Sequence, residues 1–175
     1  MKQFSILFIH LLSLPLVQGQ NNFFLPFGQS PDEVRTFLQS RDYVDGVEED
    51  SELRSLRVKL DPDKQVEYAF DSNGVLYATT ITRQYRKKRD AAEIEAEVLE
   101  YMQVVSQGQM KKKTEGPLTC HTAIVDTRVI KLFVLEHSDG KTLTLTSLSR
   151  QYGPPLDEED LFYEDDILNR RFISN

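Results

Sequence analysis

The chain has 175 residues, 28 acidic against 21 basic side chains for a net charge of −7, one cysteine and no tryptophan. That length suits one ordinary domain with room for a core, and a lone cysteine excludes an intramolecular disulfide framework. An acidic balance lacks the basic footprint that sequence-independent nucleic-acid binding needs, so nucleic acid is not expected as a partner.

Lys2 precedes an apolar run from Phe4 to Val17, interrupted by Ser5, His10, Ser13 and Pro15. One early cation, a short apolar stretch and a close on small residues have the form of a cleavable secretory signal over residues 1–19, leaving a mature chain from Gln20. A retained N-terminal anchor is the alternative. The run falls short of the roughly 20 residues a membrane span requires and no second run follows, so no transmembrane span is expected in the mature chain. The protein is therefore expected to be exported, to the periplasm or beyond.

Ser30 and Glu33 form a capping box around Pro31, and Val34, Phe37 and Leu38 make the apolar stripe of a short helix ending between Ser40 and Tyr43. An acidic connection through Glu48, Glu49 and Asp50 leads to strands with period two. Leu56, Val58 and Leu60 share one face of the first, and Val66, Tyr68 and Phe70 one face of the second. Asn73-Gly74 then signals a type I′ hairpin turn into the long strand ending at Tyr85. The clearest helix follows, with Ala91, Ile94, Val98, Tyr101, Met102 and Val105 on one face and Gly108 as its stop. After a loop containing Lys111, Lys112 and Lys113, three more strands run from Leu118 to Thr127, from Val129 to His137 and from Thr142 to Tyr152.

Two of these strands end alike, on Arg83-Gln84-Tyr85 and Arg150-Gln151-Tyr152. A shift of 67 positions superposes them and also lays Leu76 on Leu143, Thr79 on Thr146 and Ile81 on Leu148. The expected fold is α+β: a duplicated αβββ unit, with an antiparallel sheet of about six strands and two helices packed on one face. The domain is expected over 20–153, with halves of about 28–86 and 87–153. Arg83, Tyr85, Arg150 and Tyr152 then read as paired hooks at the mouth of a ligand site, or as long amphipathic side chains that cap sheet ends.

Catalytic chemistry finds little footing. Cys120 and His121 are neighbours on a strand and point to opposite faces, so a cysteine hydrolase is only an outside alternative to a non-enzyme. Two mature histidines and one cysteine make no recognisable zinc site, and the turn at Asp71–Gly74 lacks the later ligands of a calcium loop. No metal and no cofactor is expected. Residues 154–175 carry seven carboxylates against Arg170 and Arg171, a net of −5, interleaved with Leu161, Phe162, Tyr163, Ile167 and Leu168. Such a tail suits docking, on its own sheet or on a partner. The basic clusters at 83–89 and 111–113 suit a polyanion or, closer to hand, that acidic tail.

The segment from Pro26 to Leu38 resembles the opening helix of small exported α+β domains of the SmpA/OmlA outer-membrane assembly type and of β-lactamase inhibitory proteins, through Gly28, Ser30, Glu33, Val34 and Leu38. The resemblance implies a binding module of the cell envelope. Together these readings describe an exported, non-enzymatic module for binding another envelope or secreted protein. A carrier of a small hydrophobic or anionic ligand in the sheet concavity is the alternative.

Overall fold

A computed structural model describes residues 23–40 and 46–153. The predicted signal, residues 1–19, and the acidic tail, with Leu161, Phe162 and Tyr163, lie outside the described residues.

Helix α1 (Pro31–Gln39) starts as its capping residues dictate. The Ser30 N–H donates to Glu33 Oε2 at 2.7 Å, and the Glu33 N–H donates to Ser30 Oγ at 3.3 Å. This arrangement satisfies two amides that the helix itself leaves without partners. Strands β1 (Val47–Asp50), β2 (Ser55–Asp61), β3 (Lys64–Phe70) and β4 (Leu76–Tyr85) follow as a meander. Helix α2 (Lys88–Val105) leads into a second meander, β5 (Met110–Glu115), β6 (Leu118–Val125), β7 (Arg128–Glu136) and β8 (Lys141–Ser149). All eight strands form one antiparallel sheet in the order β1-β2-β3-β4-β8-β7-β6-β5. The α+β class and the antiparallel sheet are as expected, but among the described residues the sheet has eight strands, and each half has a helix with four strands in place of three.

The two extra strands are the sheet edges. β1 reads Val-Glu-Glu-Asp and β5 reads Met-Lys-Lys-Lys-Thr-Glu, with none of the apolar alternation that marks an inner strand. An edge strand packs on one side only and is protected by charge, which makes it look like a loop in sequence. The turn before β4 also differs from expectation. Gly74 takes a φ of 74° but Asn73 does not enter that region, so the turn is not type I′. Asp71 organises it, its carboxylate accepting from the Asn73 and Val75 amides at 2.8 Å each, and those bonds hold the Asp71 pKa below the usual carboxylate range.

Both helices pack on one face of the sheet. Val34, Leu38, Val98, Tyr101 and Met102 join Leu56, Val58, Val66, Tyr68, Ile81, Leu132, Leu143 and Leu145 in one core. The segment before α1 enters the same layer. Phe23, Phe24 and Leu25 are buried there, and the Tyr68 hydroxyl donates to the Phe23 carbonyl at 3.0 Å. Lys141 fastens α2 to the sheet, reaching Glu95 at 3.0 Å and Glu136 at 3.2 Å. Burial pulls the Lys141 pKa down, and the two carboxylates more than offset this and leave it raised.

The register does not support the 67-residue shift as a structural overlay. On β4, Ile81 belongs to the helix-side core, whereas Leu148 on β8 belongs to a small cluster on the opposite face with Ala78 and Val129. Beyond the irregularity at Tyr77, the odd shift exchanges the faces of these strands, so Ile81 and Leu148 are not equivalent positions, although Leu76 and Leu143 both face the helices.

The end of the central strand pair leaves no space for a side chain at Gly140, where an added Cβ would run into the Tyr85 carbonyl. Gly108 differs, with a φ of 80° and open space around it. Gly140→Ala is expected to cost about 3 kcal/mol through backbone displacement and Gly108→Ala about 1 kcal/mol through its left-handed backbone. Urea unfolding of the two variants beside the parent checks the order.

Candidate functional site

The sheet has a second face on which, among the described residues, no helix lies. Strand register arranges this face in rows. One row runs Glu67, Thr80, Thr146, Lys131, Thr122, Lys111 from β3 across to β5, and the next runs Gln65, Thr82, Thr144, Phe133, Cys120, Lys113. Threonine suits these positions because its branched side chain packs on the pleat and its hydroxyl finds a cross-strand partner. Thr80 meets Thr146 at 3.1 Å and Thr82 meets Thr144 at 3.2 Å across the central pair.

Burial divides this face in two. On the first half Gln65, Thr80 and Thr82 are partly exposed and Gln84 is exposed, beside a buried Glu67. On the second half Thr122, Lys131, Phe133, Thr144 and Thr146 are all buried, Lys131 to 1% exposure. Alternation alone identified Val129, Leu132 and Leu143 as strand residues but carried no sign that a lysine-bearing polar row would be closed.

The four predicted hooks do not converge. Arg83 and Tyr85 lie on the helix side at one end of the β4–β8 pair, where the Arg83 guanidinium stacks 5.3 Å from the Tyr85 ring centre and Tyr85 packs on the core. Burial raises the Tyr85 pKa, against the pull of Arg83. Arg150 and Tyr152 lie past the end of β8, at the opposite end of the pair. The seven-residue offset between the Tyr85–Lys141 and Ala78–Leu148 pairs corresponds to roughly 24 Å. Tyr152 there covers Gly28, its ring 3.5 Å from where a Gly28 Cβ would stand, and the Arg150 amide donates to the Thr127 carbonyl at 2.7 Å. Each Arg-Gln-Tyr run thus finishes one end of the central pair, and the geometry offers no common mouth for a carried ligand.

Cys120 and His121 occupy opposite faces of β6. The Cys120 thiol meets Thr122 Oγ1 at 3.6 Å on the helix-free face, and burial pushes its pKa up despite Thr122 and Lys131. His121 lies on the helix side, opposite Leu132 and Lys112. A buried, protonated thiol whose neighbouring imidazole, His121, lies on the other side of the sheet is a poor nucleophile. His137 caps the β7–β8 turn, with Nε2 2.9 Å from Thr142 Oγ1. An open cleft of about 300 Å³ lies elsewhere, at the start of α1, lined by Pro31, Glu49, Arg54, Phe70, Asp71 and Gly74. It holds none of the predicted site residues. Among the described residues no helix is long and apolar enough to cross a membrane.

Burial lowers the His121 pKa and Lys112 lowers it further, against an opposing pull from Glu95. The folded state therefore binds fewer protons than the unfolded chain, and stability falls as pH drops from about 6.5, the unfolded value, through the lower folded value. Thermal melts of the parent and His121→Gln between pH 8 and pH 5 are expected to converge at the acid end, the variant losing less stability over that interval.

Comparison with known proteins adds no relative: no family model matches the chain, and neither the curated proteins nor the solved structures give a match.

Proposed function

We propose that the protein is an exported, non-enzymatic interaction module, duplicated from a helix-plus-meander unit, which meets another envelope or secreted protein through the helix-free face of its sheet. The observation that carries this reading is the partly exposed patch of Gln65, Thr80, Thr82 and Gln84, on a rigid sheet and on the face opposite both helices. Hydroxyl and amide groups on rigid strands favour polar, well-oriented contacts and spare the partner the entropy cost of ordering a loop.

Duplication is supported by element order. Each half runs helix then four-stranded meander, and the halves meet through their last strands, an arrangement with a pseudo-two-fold axis normal to the sheet between β4 and β8. Export is supported by the signal-like leader, and an envelope setting by the resemblance at the start of α1. Separation of Cys120 from His121 by the sheet supports the non-enzymatic part.

A photo-crosslinking residue in place of Thr82 is expected to give one discrete heavier adduct in the native host, whereas the same probe in place of Glu97, exposed on α2, gives none. Equal labelling from both positions, or none from Thr82, overturns the assignment of the face. N-terminal sequencing of the same material tests export, with Gln20 the expected first residue. Substrate turnover abolished by Cys120→Ala would instead make the protein an enzyme.

A further inference from the structure

On the second half of the helix-free face the part over β6, β7 and β8 is closed, with Lys111 exposed and Lys113 half-buried at the β5 edge, and no described helix closes it. Thr122, Lys131 and Thr144 are 3%, 1% and 4% exposed there. Strand faces reach such burial under a second layer of protein, and a lysine so deeply placed keeps its charge only beside an anion.

The course of the chain indicates which segment supplies that layer. Gly153, the last described residue, presses its backbone on the Tyr77 ring, for an added Cβ would stand 2.5 Å from Tyr77 Cδ2. Tyr77 packs with the Ala78, Val129 and Leu148 cluster of the helix-free face, so the chain leaves β8 onto that face. The other end of the described chain enters on the opposite side, where Phe23 is buried in the helix-side core. Twenty-two residues follow Gly153. Fully extended they reach roughly 70 Å, far beyond the roughly 15 Å that separates β8 from β5. Their seven carboxylates match the buried Lys131 and the edge lysines Lys111 and Lys113, and Leu161, Phe162 and Tyr163 match the apolar residues of this half.

We propose that residues 154–175 dock in cis over the β5–β8 half of the helix-free face, carboxylates towards Lys111, Lys113 and Lys131 and apolar side chains towards Val129 and Phe133. The inference does not depend on the proposed function, since the patch around Thr82 lies on the other half.

Cys120, the single thiol, reports on this docking because it lies on the closed half. In the full chain, the triple substitution Leu161→Ser, Phe162→Ser, Tyr163→Ser is expected to speed labelling of Cys120 by a maleimide about tenfold or more, through local opening without global unfolding. Circular dichroism confirms that the variant keeps its sheet. Unchanged labelling in a folded variant overturns the proposal. Hydrogen exchange of the unsubstituted chain is the second measurement, and it stands if the variant fails to fold. Protection within 154–175 that is independent of protein concentration supports docking in cis. Rapid exchange throughout the segment overturns it, and protection that rises with concentration overturns it in favour of docking between copies.

Discussion

The pairing of β4 with β8 is the constraint on which the whole sheet depends. Among the described residues every other pairing joins neighbours within one meander, and only this one, from Ala78–Leu148 to Tyr85–Lys141, joins the two halves. Its two faces are built differently. On one side Ile81, Leu143 and Leu145 are buried under the helices, and on the other the threonine hydroxyls bond to each other across the seam. Helix α2 reinforces the join by packing on β8, β6 and β7 of its own half and also on β4 of the other. The hydrophobic layer supplies most of the stabilising free energy, and the threonine pairs hold the register.

This construction accounts for the different fates of the two sheet faces. The helix side takes most of the large apolar side chains, while the other side carries threonine, glutamine and a few charges beside Phe133 and the smaller cluster of Val129, Leu148 and Tyr77. Its partly open patch of Gln65, Thr80, Thr82 and Gln84 is poor in the apolar area that drives non-specific association, and rich in groups that reward a partner with the right geometry. The two halves of this face then part ways: the part over β6, β7 and β8 is closed and the β2–β4 half is partly open.

Much of the scaffold was legible in sequence. Six strands announced themselves through alternation, as in Leu56, Val58 and Leu60, because an inner strand over a core must alternate. The capping box at Ser30 and Glu33 fixed the start of α1 through purely local chemistry. β1 and β5 were not legible, since their acidic and basic residues satisfy an edge and mimic a loop. The turn at Asp71 misled because Asn73-Gly74 suits two turn types, and the Asp71 carboxylate decides between them. The paired Arg-Gln-Tyr runs suggested one site, yet antiparallel pairing sends the ends of β4 and β8 in opposite directions, which sequence identity does not reveal. Closure of the face around Lys131 is a tertiary property with no local signal at all.

The order of strands also bears on how the chain reaches this state. Within each meander the hairpins form from segments close in sequence, so each half can assemble locally and early. The seam joins residues more than fifty positions apart, as at Thr80 and Thr146, and must await both halves. Until it closes, β4 and β8 are unprotected edges whose natural mate is also present on every other copy of the chain. Exchange of halves between two molecules, with the connection from Tyr85 to α2 as the hinge, is therefore the characteristic misassembly of this topology, and it becomes more frequent as concentration rises during refolding.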